Sequence, residues 1–172
     1  MTVEEALNTA IEYETRVHDV YAQAQTGETD PAARRTLEVL ASEEGYHLDY
    51  LKKRRDEWLA TGRIAVERVE TAVPSPEVIA RGVKTLRERL AGREKNPSRH
   101  HVALLQRAQK VEEETSAFYR RLVGEIEGEA HAMFARFLEI EDGHLALVSA
   151  ELDAVQGLGF WFDVQEFDLE AG

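Results

Sequence analysis

The chain contains no cysteine among its 172 residues. That excludes disulfides, thiolate nucleophiles, iron–sulfur clusters and cysteine-ligated zinc. Proline is scarce, with four in the whole chain, so long periodic segments run unbroken and a mostly helical protein is expected. Positive charge is also short: 21 Lys and Arg against 33 Asp and Glu leave a net charge of −12. Such a balance argues against wrapping nucleic acid or lying on an anionic membrane. No apolar run is long enough to span a bilayer. The opening MTVEEALNTA lacks the basic start and apolar core of a signal peptide, so a cytoplasmic location is expected. The length suits one domain with a substantial core.

What is present is a pair of matching stretches, Leu37–Leu51 (LEVLASEEGYHLDYL) and Phe134–Val148 (FARFLEIEDGHLALV). Each carries Glu-x-x-His, as Glu44 with His47 and Glu141 with His144. Leu37, Leu40, Ala41, Leu48 and Leu51 flank the first pair at helical spacing; Phe134, Phe137, Leu138, Leu145 and Val148 flank the second. These offsets share one helical face, so each Glu and His points where a core residue belongs. A buried carboxylate is costly unless its charge is compensated. A metal ion would compensate it, and Glu and His three residues apart can reach the same ion.

In chain order, a Thr2-x-x-Glu5 capping box starts a helix running to about Gln25, with Glu14 inside a stripe of Leu7, Ala10, Ile11, Val17 and Tyr21. Asp30-Pro31 begins a second helix through the first Glu-x-x-His to about Ala60, stopped by Gly62. The short connection makes these two antiparallel neighbours. Arg63–Pro74 reads as irregular, Ser75-Pro76 as the start of a short helix to about Ala91, and Asn96-Pro97-Ser98 as punctuation. A third long helix is expected over Ser98–Ile126, then a turn at Gly124 and Gly128, then a fourth over Glu129–Gln156. Residues 1–156 are thus expected to form one bundle domain. Residues 157–172, with Phe160, Trp161, Phe162 and Phe167, form an aromatic tail packed on the bundle or on a dimer partner.

The halves repeat. Ala10–Tyr21 aligns with Ala108–Tyr119, placing Glu112 98 residues after Glu14 and Tyr119 98 residues after Tyr21. Glu141 and His144 follow Glu44 and His47 by 97 residues. Each half contributes one helix with a single inward Glu and one with inward Glu-x-x-His. The candidate metal ligands are therefore Glu14, Glu44, His47, Glu112, Glu141 and His144. Four carboxylates and two neutral imidazoles carry a charge that two divalent cations cancel, whereas without metal the carboxylates repel and some stay protonated. Oxygen-rich ligands with two nitrogens suit iron or manganese better than zinc. Of the remaining groups, Tyr21 and Tyr119 read first as core aromatics and second as phenols able to hydrogen-bond a ligating carboxylate of another helix. His18 reads as a polar or outer group. His100, His101 and His131 read as solvated, and Glu113 and Glu114 as solvent-facing.

The order Glu, Glu-x-x-His, Glu, Glu-x-x-His over Ala6–Tyr21, Leu37–Leu51, Ala103–Tyr119 and Phe134–Val148 resembles the rubrerythrin branch of the ferritin-like superfamily. The resemblance implies an all-α, ferritin-like four-helix bundle with a long crossover, here containing a short extra helix, between the second and third long helices. It implies two iron ions on the six residues above, with Fe(II) oxidised by hydrogen peroxide or dioxygen. Two departures stand out. Typical rubrerythrins carry a rubredoxin domain with cysteine-ligated iron, which this chain lacks, so electrons come from an external donor. They also carry an extra glutamate three residues after the first on the third long helix, where this chain has Thr115, which favours a more symmetric, bacterioferritin-like or erythrin-like site. The expected function is a diiron peroxide reductase or ferroxidase, working as a homodimer. The alternatives are iron uptake and storage, a dimanganese catalase, and a bundle that keeps its metal residues without turnover.

Overall fold

A computed structural model describes residues 1–65, 67–90 and 98–162. The described residues form five helices and no strand: α1 Val3–Gln25, α2 Pro31–Thr61, α3 Pro76–Leu90, α4 Arg99–Val123 and α5 Glu129–Leu158. Local chemistry sets the boundaries. The Thr2 hydroxyl accepts from the Glu5 N–H while the Glu5 carboxylate accepts from the Thr2 N–H, completing the capping box of α1. Asp30 caps α2 by accepting from Ala32 and Ala33, with Pro31 in the first turn, and Gly62 ends it in the left-handed region at φ 66°. Ser98 caps α4.

Two boundaries differ from the sequence expectation. The third long helix stops at Val123 rather than Ile126, where the N–H groups of Gly124 and Glu125 bond to carbonyls three residues back, Arg121 and Leu122, and tighten the last turn. The last helix runs through Gly157 to Leu158, and Gly159, at φ 85°, supplies the left-handed cap instead. The expected end of the short helix at Ala91 lies outside the described residues, as does Phe167.

The core is divided into two apolar clusters. One contains Val17 and Tyr21 of α1, Leu37 and Leu40 of α2, Leu105 and Ala108 of α4, and Leu147 and Val148 of α5. The other contains Leu7 and Ala10, Leu51, Phe118 and Tyr119, and Phe134 and Phe137 of the same four helices. Every long helix passes from one cluster to the other, and the passage fixes direction. α1 and α5 run one way, while α2 and α4 run the opposite way. Because α2 and α4 are parallel, the chain must travel the full bundle length between them. Ile64 and Val69 lie in the second cluster, and Val73, Ile79 and Leu86 in the first, so the connection and α3 make that journey. α3 packs on α5, and the close helix pairs are α1 with α2, α4 with α5 and α1 with α4.

The connection seals the wider gap between α2 and α5. Arg54, fully buried, donates to the Ala65 carbonyl at 2.6 Å and to Glu57 at 2.9 Å. Arg136 of α5 donates to the Val69 carbonyl at 2.9 Å. At Gly143 of α5, a Cβ would sit 3.4 Å from the Pro74 carbonyl oxygen, so only a very small residue lets the connection lie this close. Beyond α5, Trp161 and Phe162 are buried in the first cluster, and the Phe162 N–H donates to buried Glu151 at 2.8 Å.

Candidate metal centre

Between the two apolar clusters lies a polar layer. Glu14, Glu44, His47, Glu112, Glu141 and His144 are each fully inaccessible to solvent. The same periodicity that makes the helices amphipathic places them there: Glu14 falls between Ala10 and Val17, and Glu141 between Phe137 and His144 on one stripe. By contrast, Glu113 and Glu114 are exposed, as adjacent positions on a helix should be.

The six groups converge as two overlapping sets. Glu14, Glu44, His47 and Glu141 each offer one ligand atom within 4.8 Å of the others, and so do Glu44, Glu112, Glu141 and His144. Glu44 and Glu141, the two Glu-x-x-His carboxylates, belong to both. The imidazoles present Nδ1 inward. His47 Nδ1 lies 3.4 Å from Glu14, 3.3 Å from Glu44 and 3.5 Å from Glu141. His144 Nδ1 lies 2.8 Å from Glu44 and 3.8 Å from Glu141. The two rings stack with centroids 5.5 Å apart.

Two phenols reach across the bundle. Tyr21 of α1 donates to Glu112 of α4, and Tyr119 of α4 donates to Glu14 of α1. The structure realises both readings of these tyrosines: each ring is buried in the core, and each phenol hydrogen-bonds a carboxylate of another helix. Their exchange follows the sequence repeat, since both stand seven residues after the glutamate of their own helix. Each phenol is held well above its ordinary pKa, first by burial and then by the carboxylate it faces.

The electrostatics are those of a site short of positive charge. Burial raises Glu14 to about 7, with the Glu44 charge adding to it. Burial and Glu44 likewise raise Glu112 to about 8. Glu141 is pushed well above the carboxylate range by burial and by Glu14 and Glu44. Burial opposes ionisation of Glu44 too, but His144 and His47 beside it win and hold it well below the usual range. Burial would lower both imidazoles; the carboxylates instead raise His47 to about 9 and carry His144 well up. Protons thus stand where positive charge is wanted.

The fit to metal ions rests on orphaned atoms. Both oxygens of Glu44 and Glu141, one oxygen each of Glu14 and Glu112, and both ring nitrogens of His47 and His144 lack a hydrogen-bond partner. Leaving so many buried polar atoms unsatisfied is costly, and cations at this oxygen-rich, two-nitrogen centre would satisfy the carboxylate oxygens and the two inward Nδ1 atoms. The donor set fits.

Sequence reasoning missed Glu43. It accepts from the Ala72 N–H at 3.0 Å, and its other oxygen lies 3.9 Å from His144 Nε2. Burial would raise its pKa, but His144, Thr71 and Ala72 bring it down to about 2. The Glu43-Glu44 doublet was the available signal, but the contact depends on how the connection folds over α2.

His101 also departs from the solvated expectation: its Nε2 lies 3.2 Å from buried Glu28, and its ring meets Trp161 edge-on at 5.6 Å. His100 and His131 are exposed, and His18 stands outside both ligand sets. Thr115 is buried and spends its hydroxyl on the Val111 carbonyl of its own helix at 2.9 Å. A cavity of about 470 Å³ lies outside the layer, between the connection and α5, lined by Thr71, Val73, Pro74, Arg136, Ile140 and Gly143 among others.

No protein-family model, curated protein or solved structure matches the chain. Among the described residues, no helix is long and apolar enough to cross a membrane.

Proposed function

We propose that the protein is a rubrerythrin-like, ferritin-like dimetal oxidoreductase that holds two iron ions and oxidises Fe(II) with hydrogen peroxide or dioxygen. The observation that carries this reading is the pair of overlapping ligand sets, joined through Glu44 and Glu141. The directions of the helices support it as well, since two parallel helices joined by a connection of bundle length are what a ferritin-like crossover requires.

In this reading Glu44 and Glu141, which belong to both ligand sets, would be shared between the two cations, Glu14 and His47 would complete one position, and Glu112 and His144 would complete the other. Two ferrous ions, when bound, would supply the two electrons that, with two protons drawn from solvent, reduce one hydrogen peroxide to two waters. The chain's own groups do the rest. The four carboxylates balance the four positive charges in a layer from which the apolar clusters exclude water. Tyr21 and Tyr119 hold the outer carboxylates, Glu112 and Glu14, each by a proton on its phenolic oxygen. Thr115 supplies no carboxylate, so the ligand exchange implied for typical rubrerythrins has no counterpart here. Electrons for repeated turnover come from a separate donor, and the working unit is a homodimer.

The test is anaerobic loading with Fe(II) followed by peroxide, monitored by the absorbance of ferric iron. The reading predicts stoichiometric oxidation at a filled site. A filled site that leaves its Fe(II) unoxidised would show the reading to be wrong.

A further inference from the structure

The sequence repeat is symmetric in its six ligands but not in what stands behind the two histidines. Position 43, immediately before Glu44, corresponds to position 140, immediately before Glu141. The first is glutamate and the second is isoleucine. Glu43 is fixed at one oxygen by the Ala72 N–H at 3.0 Å, and it turns the other, buried and without a hydrogen bond, towards His144 Nε2 at 3.9 Å. On the other side, every carboxylate contact of His47 among the described residues runs through Nδ1. Neither Nε2 makes a hydrogen bond, but no carboxylate among the described residues faces that of His47, whose ring is held edge-on by Phe137 with centroids 5.2 Å apart.

We infer that the two metal positions are unequal: Glu43 acts as a positioning residue for His144, making the Glu112–His144 position bind a divalent cation more tightly, and hence first, than the Glu14–His47 position. This rests on the dimetal reading above and deepens it. The physical ground is the behaviour of a histidine ligand whose outer nitrogen faces an anchored carboxylate. At 3.9 Å the carboxylate makes no hydrogen bond, but its negative charge favours the proton on Nε2, which leaves the Nδ1 lone pair facing the metal position and raises the basicity of that nitrogen. Edge-on packing against Phe137 orients His47 but adds no negative charge. The anchor comes from the connection between α2 and α3, so the inequality is built by the non-repeating part of the chain.

The experiment is calorimetric titration of the metal-free protein with Co(II), a non-oxidising probe at these concentrations. Wild type, Glu43→Gln, His144→Gln and His47→Gln are compared, with folding of each checked by circular dichroism. Wild type is expected to bind in two resolved steps, the tighter lost in His144→Gln and the weaker in His47→Gln. Glu43→Gln is expected to weaken only the His144 step, by about 10- to 100-fold, so that the His47 position fills first. Should Glu43→Gln not fold, the assignment of the tighter step by the two histidine variants still decides the matter. Identical titrations for wild type and Glu43→Gln, or an equal loss in both steps, would overturn the role of Glu43, and loss of the tighter step in His47→Gln would overturn the order of filling; each would overturn the proposal while leaving a dimetal protein. Failure of wild type to bind any Co(II) would overturn the dimetal reading together with it.

Discussion

Tyr119 of α4 donates its phenolic proton to Glu14 of α1, and the reverse pair, Tyr21 to Glu112, completes a reciprocal exchange across the polar layer. Tyr119 and Phe137 also stack at 5.4 Å, which ties the phenol into the apolar cluster below. Each tyrosine therefore acts on both packing and site. Tyr119→Phe and Tyr21→Phe keep the ring and remove the hydrogen bond. Each is expected to cost about 1 kcal/mol of stability in the metal-free protein, lowering Tm by about 2–4 °C for a chain of this size. Each should also weaken divalent metal binding by about 10-fold or more. Thermal melts and metal titrations of the two variants check this, and unchanged affinity would reduce the phenols to packing.

Metal-free stability should fall with rising pH. Glu14 is raised from 4.5 to about 7, Glu112 from 4.5 to about 8, and His47 from 6.5 to about 9. A raised pKa means that the folded state binds the proton more tightly than the unfolded state does. The stabilisation is complete below the unfolded value and is lost as pH climbs through the folded one. Glu43, lowered to about 2, works the other way, and its contribution is already complete across this range. Tm of the metal-free protein is therefore expected to decline from about pH 4.5 to about pH 9. Stabilisation by added metal should grow over the same interval, because the metal displaces those protons. A series of melts with and without Co(II) measures both trends.

The connection between α2 and α3 should be sensitive where it is pinned. Arg54→Met removes the buried guanidinium's hydrogen bonds to the Ala65 carbonyl and to Glu57, at a cost of about 1–3 kcal/mol. Hydrogen exchange is expected to rise first in residues 63–74, ahead of the long helices.

Gly143→Leu tests the close approach from the other side. The Pro74 carbonyl would stand 3.4 Å from a Cβ there, and a longer side chain must push the connection outward, costing about 1–3 kcal/mol. Melting temperature reads the cost.

Much of this was legible in the sequence because it depends on helical phase alone. Glu14, Glu44, His47, Glu112, Glu141 and His144 each interrupt an apolar stripe, and a helix that buries its stripe must bury them. The helix starts were legible for the same local reason: Thr2, Asp30 and Ser98 are caps whose partners lie two or three residues away. What sequence alone left open depends on contacts between distant segments. Glu43 follows the pattern of a surface residue on α2, and the connection at Thr71 and Ala72, the latter 29 residues on, holds it towards His144. His101 looked solvated until Glu28 and Trp161 closed around it. That Tyr21 and Tyr119 are hydrogen-bond donors as well as core aromatics likewise depends on the distance between α1 and α4, which no periodicity encodes.

The central claim is that two cations share Glu44 and Glu141. It is tested most directly by elemental analysis of metal per folded chain after anaerobic reconstitution with Fe(II), for wild type beside Glu44→Ala and Glu141→Ala. Because each of these carboxylates belongs to both ligand sets, the account predicts two irons per wild-type chain and loss of both, not one, in either variant. Folded wild-type protein that takes up no metal, or variants that keep the full complement, would contradict it.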